Sequence, residues 1–339
     1  MIMEKKKSIF QRILEYLKGN PIVVILTVVS LVVGLTVKNF FSFYNLNNLA
    51  SNTGVRFIIA LGISGCLIIK GTDLSAGRIV GIASCITAVL VQRADYASKM
   101  YPQIPEMNMW LVLVIVLIVG TLIGLINGLI IALLNVPPFI ATLGTQTIVY
   151  GCALIFTNSQ PVGGYQKVFS ETLSAKLFPI GPYPGIPVYV LFAIFFGLIF
   201  AFLYKKTTYG KYMYAIGGNE VAAEVSGVNT KKSKILIFTL AGFMYAFAGY
   251  LLAAKSGGAN AGLGQGYELE AIAGCTIGGV STTGGIGTIS GILIGVLVFE
   301  LLKIVLQFLG VNPYFNFIVQ GLVIVTAVAI DIRKYVARK

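Results

Sequence analysis

The sequence contains no histidine and few charged residues, and each shortage excludes a class of protein. Among 339 residues there are 12 Asp and Glu, and charged residues make up 11% of the chain. A typical soluble domain carries about 25%. The lack of histidine excludes a histidine-based metal site, proton relay or catalytic triad. The lack of charge leaves too little polar surface for a soluble globule, so the composition predicts a helical protein that crosses a membrane many times.

Further absences concern redox chemistry, cofactors and catalysis. Cys66, Cys85, Cys152 and Cys275 lie inside apolar runs without a paired spacing, so we expect neither disulfides nor a metal site. No stretch matches the phosphate-binding pattern G-x-x-x-x-G-K-S/T, so the chain is not expected to hydrolyse ATP. The sequence therefore predicts a non-catalytic protein with no cofactor and no metal.

The net charge of +13 indicates a membrane topology and not a nucleic-acid partner. Fifteen of the 25 Lys and Arg residues lie in three segments, 1–20, 205–234 and 333–339. Loops on the cytoplasmic side of membrane proteins carry an excess of lysine and arginine. We therefore expect these three segments to face the cytoplasm and to meet anionic membrane lipid there.

Apolar runs predict ten membrane-spanning helices, because one crossing takes about 20 residues. The predicted spans are 21–37, 57–69, 79–91, 110–134, 139–156, 186–204, 235–254, 269–280, 286–302 and 315–330. The short second, third and eighth spans are expected to be broken or re-entrant helices. Ten crossings place both termini in the cytoplasm. The predicted fold class is an all-α polytopic membrane protein, a single transmembrane domain over residues 1–339 that begins with an amphipathic lead-in, 1–20.

The segment 205–234 is a polar island between two apolar runs, and we expect it to contact a cytoplasmic partner. Its centre contains the candidate contact residues Glu220, Ala222, Ala223, Glu224 and Gly227. Ala223 and Gly227 are four residues apart and would share the face of a short helix that Gly227 ends. A face of small residues allows another surface to come close. The alternative is a solvated loop in which the glycine only makes a turn.

Asp73 lies in a polar break between two apolar runs, where a carboxylate needs a physical reason. One hypothesis is that Asp73 and Ser75 line a pathway and bind a hydroxylated solute. The alternative, which the sequence favours, is that they cap the following helix. Lys70 or Arg78 would then neutralise the carboxylate.

Three other acidic residues lie in or at the edge of predicted spans. Glu268 and Glu270 are further pathway candidates at an external mouth, although solvation at the membrane interface is the favoured interpretation. Glu300 precedes Lys303 by three residues, so a local ion pair is expected.

Glycines recur every fourth residue in the fourth predicted span, at Gly120, Gly124 and Gly128. Such a stripe lets two helices approach closely. We expect it to serve packing within the chain.

The central segment resembles the cytoplasmic signature of permeases of ATP-binding-cassette (ABC) importers. That signature is Glu-Ala-Ala, three residues, Gly, nine residues and Ile, and here Ala222 and Ala223 precede Gly227 and Ile237 at those spacings. The chain departs from it at Val221, which occupies the Glu position, while Glu220 stands one place earlier. Further stretches are similar to sugar permeases of the ribose/galactose family. They are 71–78, 138–145, 215–219, 278–285 and 310–314.

This resemblance implies a permease subunit of a monosaccharide importer in the bacterial plasma (inner) membrane. It implies a homodimer of ten-helix subunits, a separate ABC ATPase, expected to be a fused double cassette, and an extracytoplasmic sugar-binding protein. Galactose, methyl galactoside or glucose is the favoured sugar, although ribose and xylose systems share the motifs. The alternative function is an ion-coupled secondary sugar transporter or a passive channel.

Overall fold

The chain folds into a bundle of helices, seen in a computed structural model that describes residues 21–179, 181–312 and 314–336. The predicted lead-in 1–20 lies outside the described residues. Within these described ranges, six helices are long and apolar enough to cross a membrane, and three shorter apolar helical stretches accompany them. The predicted helical membrane architecture is therefore confirmed at this coarser level.

Thirteen helices and one two-stranded antiparallel pair make up the described residues. The helices are α1 Pro21–Thr36, α2 Phe43–Ile68, α3 Ala76–Leu90, α4 Met109–Leu133, α5 Pro138–Phe156, α6 Lys167–Ser174, α7 Val188–Lys206, α8 Thr208–Gly218, α9 Glu220–Val225, α10 Thr230–Ser256, α11 Tyr267–Ile277, α12 Ile289–Phe308 and α13 Phe315–Val336. The strands are β1 Lys176–Leu177 and β2 Ile186–Pro187, with Lys176 opposite Pro187.

Helix α10 lies at the centre of the bundle and packs against α2, α3 and α4. The glycine stripe of α4 makes its closest contact there, since a Cβ on Gly124 would overlap the Phe238 carbonyl oxygen and one on Gly128 would lie 2.8 Å from the Ile235 Cα. The prediction that the stripe serves packing within the chain is confirmed.

One end of the bundle, which we call the basic end, carries the lysine-rich segment 205–234. Ile68 at the end of α2 accepts a hydrogen bond from the Gly285 amide at 2.8 Å, which places the turn between α11 and α12 at this end. At the opposite end, Val162 pairs with Ala259. Helices α2 and α12 therefore run between the two ends in opposite directions.

Helix α2 is longer than the sequence predicted, because it starts at Phe43 and not at residue 57. The intervening Asn- and Ser-rich segment lies between the first and second predicted spans, 21–37 and 57–69, where a loop outside the membrane was expected. Four of its polar residues are instead buried inside the bundle, namely Asn45, Asn47, Ser51 and Thr53. Ser42 caps the helix by accepting a hydrogen bond from the Asn45 amide. The prediction was wrong because polarity alone was taken as a sign of solvent contact.

Two non-helical segments enter the bundle from its opposite ends. Residues 69–75 leave α2 at the basic end, whereas residues 257–266 leave α10 at the other end. They converge at the start of α3, where a Cβ on Gly77 would overlap the Gly264 carbonyl oxygen. Residues 255–267, between the seventh and eighth predicted spans, were expected to form a loop outside the membrane, but the glycines and small residues of 257–266 allow that segment to pack against α3. A Cβ on Gly81 would lie 2.6 Å from the Leu263 carbonyl oxygen.

Helices α3 and α11 both begin at this convergence and run away from it. They have 15 and 11 residues, about 23 Å and 17 Å at 1.5 Å per residue. Neither alone spans the roughly 30 Å hydrocarbon core of a bilayer. The expectation that the second predicted span is short is wrong, whereas the third and eighth are short helices flanked by the two entering segments.

The fold predicts that Gly242→Ala destabilises the chain, because the new methyl group would overlap the Gly120 carbonyl oxygen and crowd Gly124. Overpacking of this kind costs about 1–3 kcal/mol. The matched control is Gly144→Ala in α5, where no atom beyond the adjacent backbone of its own helix lies within 4 Å of the added carbon. Thermal unfolding of the purified chain should show a lower midpoint for Gly242→Ala and an unchanged or raised one for Gly144→Ala. Equal midpoints for the two variants would contradict the proposed α4–α10 contact.

Candidate functional site

The polar break after α2 is held by Asp73, whose carboxylate is buried in the bundle. The Ser75 amide and hydroxyl donate to Asp73 Oδ1 at 2.9 and 2.6 Å, and the Tyr245 hydroxyl donates to Oδ2 at 3.1 Å. The Ser75 hydroxyl therefore does not cap α3 directly. The bond from the Ser75 amide pairs a backbone donor that has no helical partner between α2 and α3.

Side chains from α4 and α5 continue this network. The Asn127 amide donates to Ser75 Oγ at 3.0 Å, and the Thr145 hydroxyl donates to Asn127 Oδ1 at 2.6 Å. Thr142 Oγ1 accepts from the Leu74 amide at 3.1 Å. The polar break is thus bonded on three sides, by α4, α5 and α10.

The expected cation partners of Asp73 lie elsewhere. Lys70 Nζ donates to the Gly218 carbonyl oxygen at 3.4 Å. The Arg78 guanidinium lies 4.0 Å from the centre of the Tyr150 ring. Among the described residues no ion pair includes Asp73, so the expected neutralisation is not found. Because Asp73 and Ser75 are buried, this conformation places them in a structural network, and their role in a pathway stays a prediction.

Glu268 lies where the two entering segments meet. Its carboxylate contacts the first turn of α3, since a Cβ on Gly77 would overlap Glu268 Oε2. A negative charge is favourable at the N-terminus of a helix, where amide groups are unpaired. The expected interfacial solvation of Glu268 is wrong, because only 9% of the residue is exposed.

Glu270 belongs to a cluster of four charged side chains from α2, α11 and α12, which we call the charge cluster: Arg56, Glu270, Glu300 and Lys303. Arg56 Nε lies 2.6 Å from both Glu270 Oε2 and Glu300 Oε1. Lys303 Nζ lies 2.8 Å from Glu270 Oε2 and 2.9 Å from Glu300 Oε1. The predicted Glu300–Lys303 pair is confirmed. The expected solvation of Glu270 is wrong, since its side chain is 12% exposed.

The central segment forms a short helix, α9, as the sequence predicted, but its exposed face differs. Ala223 is 5% exposed and faces the bundle, whereas Val221 and Val225 are 72% and 86% exposed. Asn219 Oδ1 caps the helix by accepting from the Ala222 amide at 3.0 Å. Gly227 has a φ of 87°, in agreement with its expected role at the helix end. The expected pairing of Ala223 with Gly227 on one outer face is wrong.

Sequence reasoning missed the partners of Asp73 and half of the charge cluster. Asn127 carried a signal, because an amide inside an apolar helix requires a hydrogen-bond partner. Tyr245 carried none, being one of 17 tyrosines. Arg56 precedes the second predicted span, 57–69, and so fell into the loop before it, because the start of α2 was misplaced.

The hydrogen bonds of Asp73 predict that Asp73→Asn retains the fold and most of the activity. An asparagine oxygen can accept from Ser75, and its amide can donate to the Tyr245 hydroxyl, which is able to accept. Asp73→Leu should fail, because each unpaired buried group costs about 1–3 kcal/mol. The prediction is tested by measuring transport across membranes that contain equal amounts of each variant. Loss of transport in a correctly assembled Asn variant would instead support a role for the charge.

Comparison with known proteins adds evidence from the whole chain. A family described as branched-chain amino acid transport system/permease component matches residues 45–328. The galactose/methyl galactoside import permease protein MglC of Escherichia coli K12 is 44% identical over 96% of this chain and 97% of its own length. MglC of Haemophilus influenzae is 40% identical over 99% of both chains. The ribose import permease protein RbsC of Haemophilus influenzae is 35% identical over 97% of this chain and 98% of its own.

No solved structure is significantly similar to this one. The sequence matches extend over nearly the whole chain, so they include the polar break, the charge cluster and α9. The chain belongs to this family of permease components and is a non-catalytic, multi-pass membrane protein.

Proposed function

We propose that the chain is the permease subunit of an ABC importer for a monosaccharide, with galactose or methyl galactoside as the favoured substrate. The observation that carries this proposal is the similarity of 40–44% identity to galactose/methyl galactoside permeases over nearly the full length. The same similarity favours ATP-driven import over the ion-coupled alternative.

The proposal includes three partners. A separate ATPase, expected to be a fused double cassette, supplies the energy, and an extracytoplasmic binding protein delivers the sugar. A second copy of this chain completes the membrane unit. Within it, Asp73, Ser75, Glu268 and Glu270 remain candidates for residues that affect the pathway.

The proposed topology has ten crossings with both termini in the cytoplasm and the basic end on the cytoplasmic side. The grouping of lysines at that end supports it. A cysteine at position 211 that reacts with an impermeant reagent outside intact cells would contradict this topology, and a cysteine at the exposed Asp95 is the positive control.

We propose that α9 is the docking helix for the ATPase. Its outward side presents Val221 and Val225, one helical turn apart, with Glu224 beside them. Two exposed valines on a cytoplasmic surface are an apolar contact that a partner would cover. Their position next to Ala222, Ala223 and Gly227 agrees with the resemblance to the cytoplasmic signature.

Contacts behind α9 connect it to the interior of the bundle. Glu220 forms an ion pair of 2.6 Å with Lys234 at the start of α10. Just before α9, a Cβ on Gly217 would overlap the Ile68 carbonyl oxygen and lie 2.5 Å from the Gly285 nitrogen. Because these backbones are in contact, a displacement of α9 would move the C-terminal end of α2 and the α11–α12 turn together.

Reconstituted transport tests the proposed function. Proteoliposomes containing this chain, the ATPase and the binding protein should accumulate labelled galactose when ATP is present inside with the ATPase. Without the ATPase, this chain should not concentrate sugar. Accumulation driven by an ion gradient in the absence of ATP would support the secondary transporter instead. Uptake of leucine and not of galactose would contradict the proposed substrate.

The docking proposal predicts that Val225→Asp weakens attachment of the ATPase, because an unpaired charge would be buried in the contact. We expect an affinity loss of about tenfold or more. Val225→Leu is the control, since it keeps an apolar side chain. Co-purification and uptake at equal membrane levels measure the effect. This residue is a better test than Gly227→Asp, which would also strain a backbone of positive φ. Normal attachment of Val225→Asp would contradict docking on this face.

A further inference from the structure

The charge cluster borders a cavity of about 410 Å³. Ligand pockets commonly have volumes of about 300–1,000 Å³. Besides the four charged residues, the lining includes the amide residues Asn52, Gln307 and Gln320 and the exposed aromatic residues Tyr314 and Phe317. The cavity therefore combines hydrogen-bonding groups with an aromatic wall.

The cavity lies close to the middle of the bundle along its long axis. Arg56 precedes the end of α2 by 12 residues and Glu300 follows the start of α12 by 11, about 18 and 17 Å from the basic end. The hydrocarbon core of a bilayer is about 30 Å thick. A solute that crosses the membrane has to pass this level.

Four charges at this depth need a functional explanation. Removing charged groups from water is costly, and a buried ion pair often stabilises a protein no more than apolar residues of similar size. Ionisable residues within membrane segments commonly mark a substrate pathway. The helices α2, α11 and α12 could have been joined by apolar packing alone.

The pattern of charge indicates the chemistry of the ligand. Two cations and two carboxylates alternate at 2.6–2.9 Å, so an ion of either sign would meet a repulsive group. In both Glu270 and Glu300, one carboxylate oxygen contacts both Arg56 and Lys303. The other oxygen accepts no hydrogen bond from the residues that the structure describes. These oxygens can accept from hydroxyl groups, while cations and amides can donate to hydroxyl oxygens.

The geometry points to this cavity as the site where the permease contacts its sugar, an inference that rests on the proposed function. Glu270 and Glu300 accept hydrogen bonds from sugar hydroxyls, Lys303 and Gln320 donate to sugar oxygens, and the C–H face of the ring packs against Phe317. A zwitterionic amino acid or a lipid headgroup also carries mixed polarity. The four charges of the cluster already pair with one another, and Lys255 donates to Asn52 at the cavity wall. A neutral ligand rich in hydroxyl groups therefore fits the cavity better than a charged one.

Protection of a cysteine from a thiol reagent tests this site directly. Gln307→Cys lines the cavity and is exposed, and Leu309→Cys is an exposed control at the same end of α12. Both are made in a Cys152→Ser background, because the other three native cysteines are buried. The complex with ATPase and binding protein is placed in lipid nanodiscs and treated with a small impermeant reagent, with and without galactose.

We expect galactose to slow labelling of Gln307→Cys and to leave Leu309→Cys unchanged. At a concentration about ten times the dissociation constant, mass action gives about tenfold protection. Equal labelling with and without galactose, in a complex that imports galactose, would overturn the site and leave the proposed function standing. A complex that imports no sugar would overturn the proposed function itself.

Three other results would also overturn the site. Protection by leucine and not by galactose would identify a zwitterion site. A labelling rate of Gln307→Cys that changes with the lipid headgroup of the nanodisc and not with added galactose would identify a lipid site. Equal protection of both cysteines would indicate a change of the whole chain and no local contact.

The Glu270 carboxylate should contribute directly to sugar affinity. Glu270→Gln keeps the size of the side chain but removes its charge, and we expect the galactose concentration for half-maximal protection to rise about tenfold. The matched control is Glu106→Gln, a carboxylate in the loop before α4 that accepts from the Ala94 amide. If Glu270→Gln misfolds, Gln320→Leu in the same Gln307→Cys background, which also lines the cavity but lies outside the ion pairs, should raise the same concentration. An unchanged concentration in folded variants would contradict direct contact.

Discussion

Asp73 accepts hydrogen bonds from Ser75 and Tyr245 inside the bundle, and the rest of the structure depends on this interaction. A chain in a membrane has to pair its backbone amides and carbonyls within the protein, because lipid offers no partners. Between α2 and α3 the helical pattern stops for seven residues, 69–75. Asp73, Asn127, Thr142 and Thr145 provide the side-chain bonds that make this interruption stable.

The interruption also determines where the other parts lie. It allows α3 to begin deep in the bundle, beside the segment 257–266 that enters from the opposite end. Helix α2 connects the basic end with the charge cluster. Its last residue, Ile68, contacts the α11–α12 turn behind α9, and Arg56 belongs to the charge cluster. In the proposed importer, a movement of α9 caused by the ATPase would therefore reach the sugar cavity through a single helix and the α11–α12 turn packed against it.

The sequence predicted those elements that depend on composition and local chemistry. Long apolar runs such as 110–134 and 235–254 correspond closely to α4 and α10, and Gly227 ends a short helix as its lack of a side chain allows. It could not predict which polar residues are buried between helices. Asn45 and Ser51 have the composition of a loop but lie within α2, and Arg56 finds its partners more than 200 residues away. Such contacts depend on the tertiary arrangement, for which one sequence carries no periodic signal.

Hydrogen exchange of the backbone amides in residues 70–76 tests the central claim most directly. The Leu74 amide donates to Thr142 Oγ1 and the Ser75 amide donates to Asp73 Oδ1. The account predicts that these amides in the purified chain exchange as slowly as those of α3, although they are outside any helix. Exchange as fast as that of the exposed residues Ala97 and Ser98 would show that the break is open to water, and would contradict the role given to Asp73.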